Sequence, residues 1–174
     1  MLLPDKYSAI EALHDGARVE IRSLKPEDRT DFLAAVARTS SESLRRRFFA
    51  VRRSFTDQEA AFFLNVDFVN HVALVVVAQE DGRPAIVGGG RYIVLRPGEA
   101  EVAFAVVDQY QGRGVGGALM RHLAAIARAA GLERFTAELL PENLAMLRLF
   151  EKSGLLVSTK REDGVRHVTL RLSE

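Results

Sequence analysis

The sequence predicts an α/β (α+β) domain: a mixed, mostly antiparallel twisted sheet of about seven strands flanked by helices, in the order β-α-α-β-β-β-α-β-α-β-β. Three observations predict it. Residues 71–107 hold three strand-like runs joined by Asp81-Gly82 and Arg96-Pro97-Gly98, turns too short for crossovers, so they form an antiparallel meander. Residues 114–130 then carry Val115, Leu119, Leu123, Ile126 and Ala130 at helical spacing, closed by Gly131. A strand, a helix and a hairpin complete the chain, so helices and sheet share one core.

Taken in order, Arg18–Ser23 alternates apolar and polar residues and reads as the first strand. Pro26-Glu27-Asp28 gives helix-start chemistry, with proline in the first turn and acids beside it, and Phe32, Leu33, Val36 and Ala37 follow at helical spacing. Residues 41–49 read as a short helix capped at Ser40 or Ser41. Residues 56–64 read as another, with Thr56 as cap and Glu59 in the capping-box position. Residues 71–79 are a β-branched run, the expected central strand; residues 85–95 follow, with Gly88-Gly89-Gly90 marking a bulge or a close backbone approach. Residues 99–107 end the meander. After the long helix, residues 134–140 form a strand and residues 143–152 a helix ended by Gly154. Residues 155–159 and 165–172 are strands around Asp163-Gly164. Residues 1–17 have weak periodicity and read as an N-terminal arm, loose or briefly helical, ahead of a domain spanning 18–174.

Composition narrows the function classes. A chain of 174 residues, 48% hydrophobic and 27% charged, suits one soluble globular domain. A formal net charge of +1 argues against a general nucleic-acid binder. With no cysteine, a disulfide framework, a thiolate metal site and a cysteine nucleophile are excluded. Asp5 and Glu11 interrupt the first residues, unlike a signal peptide, and the longest apolar run, 72–78, is too short to cross a bilayer. A cytoplasmic location, with no membrane and no nucleic-acid partner, is expected. His14, His71, His122 and His167 include no i, i+4 pair, so no metal is expected.

The segment that carries chemistry runs from Val106 to Gly116, leaving a strand and entering a helix. Glycines at 112, 114 and 116 let the backbone approach a ligand without a Cβ in the way. Loop N–H groups and the helix N-terminus then converge on one spot, an anion site suited to a pyrophosphate, and Arg113 can add a charged contact. The same residues would also serve a plain strand-to-helix turn with no ligand. A dinucleotide fingerprint needs a preceding parallel βαβ context, which the meander rules out. A nucleoside-triphosphate loop needs Lys-Ser/Thr after its last glycine, where Gly117-Ala118 stands.

Gln111-Gly112-Arg113-Gly114-Val115-Gly116 matches the Gln/Arg-x-x-Gly-x-Gly/Ala signature, and the chain resembles the GNAT superfamily of N-acetyltransferases from first strand to last. Leu139-Leu140-Pro141-Glu142-Asn143, Met146 and the run from Phe150 to Leu155 resemble that superfamily's second cofactor segment. A narrower likeness, to the catalytic domain of Pat-type bacterial protein lysine acetyltransferases, lies in residues 40–45, Arg47-Phe48-Phe49, Gly89-Gly90-Arg91-Tyr92 and Ala100-Glu101-Val102-Ala103-Phe104. The resemblance implies acetyl-CoA as co-substrate. It places Gln111, Gly112, Arg113, Gly114, Val115, Gly116 and Gly117 at the pyrophosphate and the backbone of Phe104, Ala105 and Val106 at the pantetheine arm and oxyanion. Asn143 joins the cofactor set, or is simply an N-cap.

The implied reaction is direct attack of an amine on the acetyl thioester. A lysine amine, with a reference pKa of about 10.4, must first lose a proton, and Glu101 is the implied general base. Alternation puts Glu101 on one face with Ala103 and Ala105, small residues that leave room for substrate. A surface carboxylate paired with an arginine is the competing reading, and Glu99 and Glu138 are the substitutes. Phe150 stands where many members use a tyrosine to protonate the leaving thiolate, so Ser153 or water is left for that step. The implied acceptor is a protein lysine, as on an acyl-CoA synthetase. A small-molecule amine, a protein N-terminus, or a weakly active acetyl-CoA-binding regulatory module are the alternatives. A monomer or homodimer is expected. The basic cluster Arg45-Arg46-Arg47 with Arg52-Arg53 reads as a solvated face or as a contact for an acidic partner or phosphate. Phe48, Phe49, Phe62, Phe63 and Phe68 read as core and lid packing.

Overall fold

The fold is that of a computed structural model, which describes residues 4–38 and 57–172. Its strands are β1 (Ser8–Ala12), β2 (Arg18–Ser23), β3 (His71–Glu80), β4 (Arg83–Arg96), β5 (Glu99–Val106), β6 (Arg134–Leu139), β7 (Leu156–Glu162) and β8 (Val165–Arg171). The helices among the described residues are α1 (Arg29–Ala37), α2 (Asp57–Leu64), α3 (Val115–Ala129) and α4 (Leu144–Glu151). One eight-stranded sheet runs β1-β2-β3-β4-β5-β6-β8-β7. Every neighbouring pair is antiparallel except β5 and β6, which are parallel.

The mixed sheet with flanking helices is the predicted architecture, and each predicted strand is present. The reading of residues 1–17 as an arm needs a correction: the described part, residues 4–17, opens with the short 3-10 helix Pro4–Lys6 and then supplies β1, paired along its whole length with β2. The segment Ser-Ala-Ile-Glu-Ala lacks a hydrophobic face, and its one large apolar side chain, Ile10, is 65% exposed. Backbone pairing with a neighbouring strand makes it a strand, and periodicity alone does not display that. The helix predicted over 41–49 and its caps, Thr56, and the arginine cluster lie outside the described residues.

Two layers of helix flank the sheet. Alternate residues of β3 to β6, among them Val72, Leu74, Tyr92, Val102, Phe104 and Phe135, pack with α3 through Leu119, Leu123 and Ile126 and with Phe150 of α4. The opposite face buries Ala73, Val75, Val77 and Ile86 against Leu64 of α2 and Phe32 and Ala35 of α1. β3 is therefore covered on both sides, which its continuous run of Val, Leu and Ala anticipates. The glycine triplet does both things expected of it. Val76 pairs with Gly88 and Val77 with Ile86, so Val87 is an extra residue in a bulge. At Gly90 a Cβ would lie 2.8 Å from Cδ1 of Phe104 and 3.0 Å from Cδ1 of Leu123.

Because both of those side chains are held in the core, Gly90→Ala should overpack it and lower stability by about 1–3 kcal/mol. Urea unfolding measures this; an unchanged midpoint would show that the core around Phe104 yields freely.

Candidate active site

β5 lies between two neighbours but keeps only one of them. Its partnership with β4 runs from Glu99 to Val106, whereas β6 pairs with it only through Glu99–Arg134, Ala100–Phe135 and Glu101–Thr136. Beyond Glu101 the strands part, and β6 continues beside β8 through Ala137, Glu138 and Leu139. The edge of β5 from Val102 to Val106 thus faces a wedge instead of a strand, and Phe104, Ala105 and Val106 lie along it. Backbone N–H and C=O groups on such an edge need partners, and an extended ligand can supply them.

Both helices of the closed face start at this wedge, since α3 follows β5 and α4 follows β6. Openings at the carboxyl ends of parallel strands are where open α/β sheets place ligands. The turn from Gln111 to Gly114 brings the chain into α3 with Gly114 left-handed (φ 98°) at the N-cap, and no side chain caps the helix among the described residues. First-turn N–H groups, those of Val115, Gly116 and Gly117, have no helical acceptor by geometry, so they present positive potential to whatever lies ahead of the helix. Gly112 and Gly114 both have positive φ (75° and 98°). Gln111 folds back, its Nε2 donating to the Val106 carbonyl at 3.0 Å, which ties the loop to the end of β5.

Glu101 is the last residue of β5 paired with β6, at the apex of the wedge. A transverse row crosses the sheet there: His71, Ile93, Glu101, Thr136, Thr169 and Ser158 are successive register partners. The Glu101 side chain is exposed and forms no ion pair or hydrogen bond among the described residues. Its two substitutes are engaged. Glu99 is gripped by Arg96 and Arg134, each at 3.5 Å, and Glu138 faces His167 at 3.6 Å.

Residues 38–155 match the Acetyltransferase (GNAT) family. The chain belongs to the GNAT family. It is 36% identical over 138 residues to Acetyltransferase Pat of Mycolicibacterium smegmatis, a match covering 77% of this chain and 40% of that protein. It is 32% identical over 158 residues to Acetyltransferase PA5475 of Pseudomonas aeruginosa, covering 90% of this chain and 85% of that one. The crystal structure of the GNAT domain of S. lividans PAT superposes with a TM-score of 0.86 at 34% identity, covering 94% of this chain and 96% of that domain. Within that family the chain resembles Pat-type acetyltransferases, and its match spans 40% of the length of the M. smegmatis protein.

The second GNAT segment is built as follows. Asn143 is 5% exposed; its Oδ1 accepts the Met146 N–H at 3.2 Å and caps α4. Its backbone N–H donates to the Leu140 carbonyl, but the side-chain Nδ2 makes no hydrogen bond among the described residues, so a buried donor is available where α4 begins. Phe150 is 1% exposed, its ring 6.3 Å from that of Phe104, and belongs to the core. Ser153 donates to the Phe150 carbonyl at 2.5 Å and accepts the Leu155 N–H, so its hydroxyl closes α4. Among the predicted packing residues, Phe68 joins the core, Phe63 lies under the Arg91 guanidinium at 4.7 Å, and Phe62 is 55% exposed.

A set of polar residues around the glycine-rich loop escapes sequence reasoning. Arg38, at the end of α1, holds both carboxylate oxygens of Glu80 at 2.8 Å and donates to Gln109 at 2.5 Å. Glu80 also accepts the Tyr110 hydroxyl at 2.9 Å. On the loop's other side the β1–β2 turn contributes Asp15 and His14. Arg38 and Glu80 stand far apart in sequence, and no motif marks them. Asp15-Gly16 was the available sign, a turn dipeptide between two short segments. Among the described residues no three His, Asp or Glu side chains cluster as metal ligands, and no helix is long and apolar enough to cross a membrane.

Two outcomes follow from this geometry. Gly114→Ala forces a Cβ onto a left-handed residue and against the His14 ring, and should cost about 1–2 kcal/mol in urea unfolding. Arg38 holds the Glu80 carboxyl below the usual carboxylate range; partial burial opposes the shift and the Tyr110 hydroxyl reinforces it. A depressed folded-state pKa means the stabilisation is present above the unfolded carboxylate value and is lost as pH falls through the lower, folded one. Thermal midpoints should therefore drop on acidification below about pH 4, and drop less in Glu80→Gln. Equal drops in the two proteins would remove Glu80 from that account.

Proposed function

We propose that the protein is an acetyl-CoA-dependent N-acetyltransferase that acetylates a primary amine, most specifically a lysine side chain of a protein such as an acyl-CoA synthetase. The observation that carries this reading is the parting of β5 from β6 with an unengaged carboxylate, Glu101, at its apex. Membership of the GNAT family and likeness to Pat proteins support the acceptor class.

The residues fit the co-substrate. A pantetheine arm would lie along Phe104, Ala105 and Val106 as an added strand. The N–H groups from Gly112 to Gly117 would hold the pyrophosphate, with Gln111 anchoring the start of the loop and the Asn143 side-chain amide as a further donor. On the other side Glu101, Ala103 and Ala105 share a face whose small side chains leave space for the incoming amine. Glu101, directly or through water, takes the ammonium proton. The amine nitrogen then bonds to the thioester carbon, the oxygen's developing charge is met by a β5 N–H, and the C–S bond breaks. The departing thiolate, whose thiol has a pKa of about 8.5, leaves without an acid and is protonated by water. The reaction is placed in the cytoplasm, with the enzyme acting as a monomer or homodimer.

Glu101→Gln is expected to lower kcat by about 10²–10⁴-fold with the calorimetric Kd for acetyl-CoA unchanged. Thiol release in the presence of lysine-containing proteins measures it. Undiminished turnover would remove Glu101 as base, and absence of acetyl-CoA binding to the wild-type chain would remove the enzymatic reading altogether.

A further inference from the structure

The glycine-rich loop is gripped from outside by the β1–β2 turn. Both Nε and Nη2 of Arg113 donate to Oδ2 of Asp15, at 3.0 and 2.7 Å. The guanidinium lies over the Tyr110 ring at 4.5 Å from its centre. In the main chain, the His14 N–H donates to the Arg113 carbonyl at 2.9 Å. The His14 ring occupies the space beside Gly114, where a Cβ would lie 2.7 Å from Nε2. The turn is itself rigid: Leu13 N–H bonds to the Ala17 carbonyl, Gly16 N–H to Leu13, and Ala17 N–H to the Asp15 carboxylate. That last bond and the Arg113 contact hold the Asp15 carboxyl below the usual carboxylate range, so it is charged at neutral pH.

We propose that Asp15 and His14 are positioning residues of the cofactor loop, and that the Arg113 side chain is a strut between turn and loop and not a phosphate ligand. The inference rests on the reading of residues 111–117 as the pyrophosphate site. Two glycines, Gly112 and Gly114, let the loop take the shape a diphosphate needs, but they leave it many other shapes, and ordering it on binding subtracts from affinity. The strut removes those alternatives in advance. On the other side Tyr110, Glu80 and Arg38 complete the grip, so the loop is held between the β1–β2 turn and the ends of β3 and α1. Arg113 can supply its N–H to a phosphate while its side chain stays on Asp15.

The test is calorimetric titration of the full chain with acetyl-CoA and with S-acetylpantetheine, which lacks the pyrophosphate and nucleotide. Asp15→Asn, Arg113→Met and the double variant should each weaken acetyl-CoA about two- to fivefold, with the double variant no worse than either single one. Binding of S-acetylpantetheine should not change, which a general loss of structure would not allow. If Arg113→Met weakens acetyl-CoA far more than Asp15→Asn, or Asp15→Asn leaves affinity intact or raises it, the strut is overturned and Arg113 is a ligand. If the wild-type chain binds acetyl-CoA no better than S-acetylpantetheine, the pyrophosphate site itself fails, an outcome separate from the strut.

Discussion

The whole site depends on a break in one backbone ladder. β5 and β6 share three register pairs and then separate, so the second half of β5 has a strand on one edge only. The wedge persists because each strand is secured from the outside. β5 is paired with β4 to its last residue, and β6 is paired with β8 throughout. Neither can swing across to close the gap without giving up a complete ladder elsewhere. An edge of unpaired amides and carbonyls is normally a hazard that proteins cover or blunt. Here it is sunk between two strands and closed on one face by α3 and α4, and the proposed function gives it a single extended guest.

That position also brings the rest of the machinery together. A parallel pair sends both chains out at the same end, so the helices that follow β5 and β6 begin beside the opening. The glycine-rich turn and Asn143 are far apart in sequence, yet each is the entry to a helix at the same end of the sheet. The two faces differ as well. α3 and α4 cover β5 with the side chains of Val102 and Phe104 between them. On the other face the buried cluster with α1 and α2 draws on β3 and β4, and among the described residues Glu101 is left exposed. Alternation along a single strand thus gives β5 one closed face and one open face, the arrangement that the proposed reaction needs.

The loop illustrates a division of labour between shape and rigidity. Glycines at 112 and 114 grant the left-handed turns that aim the amides, but a glycine-rich backbone has no stiffness of its own. Stiffness comes from charged neighbours outside the motif, Asp15 on Arg113 and Arg38 on Glu80, bridged through Tyr110. Such half-exposed pairs add little to global stability. Their effect is local, on which loop conformations are populated, and locality makes them useful beside a binding site.

The sequence by itself determined the elements and the loop. Period-two runs, helical spacing and turn dipeptides place β2 to β8, α3 and α4 to within a residue or two, because local backbone preference and burial act on neighbours in sequence; the exception is β7, which runs three residues further than predicted, to Glu162. Spaced glycines between a strand and a helix carry their meaning in the same local way. What only the tertiary structure decided are the relations between distant segments. β1 is a strand solely because β2 lies beside it. Glu101, Glu99 and Glu138 look alike as carboxylates on strands, and the pairing of β5, β6 and β8 is what engages two of them and leaves Glu101 at the apex. Arg113 reads as a phosphate ligand in isolation and meets Asp15, 98 positions away in sequence, once the chain is folded. Long-range register and charge pairing arise from the closing of the sheet, and no local pattern records them.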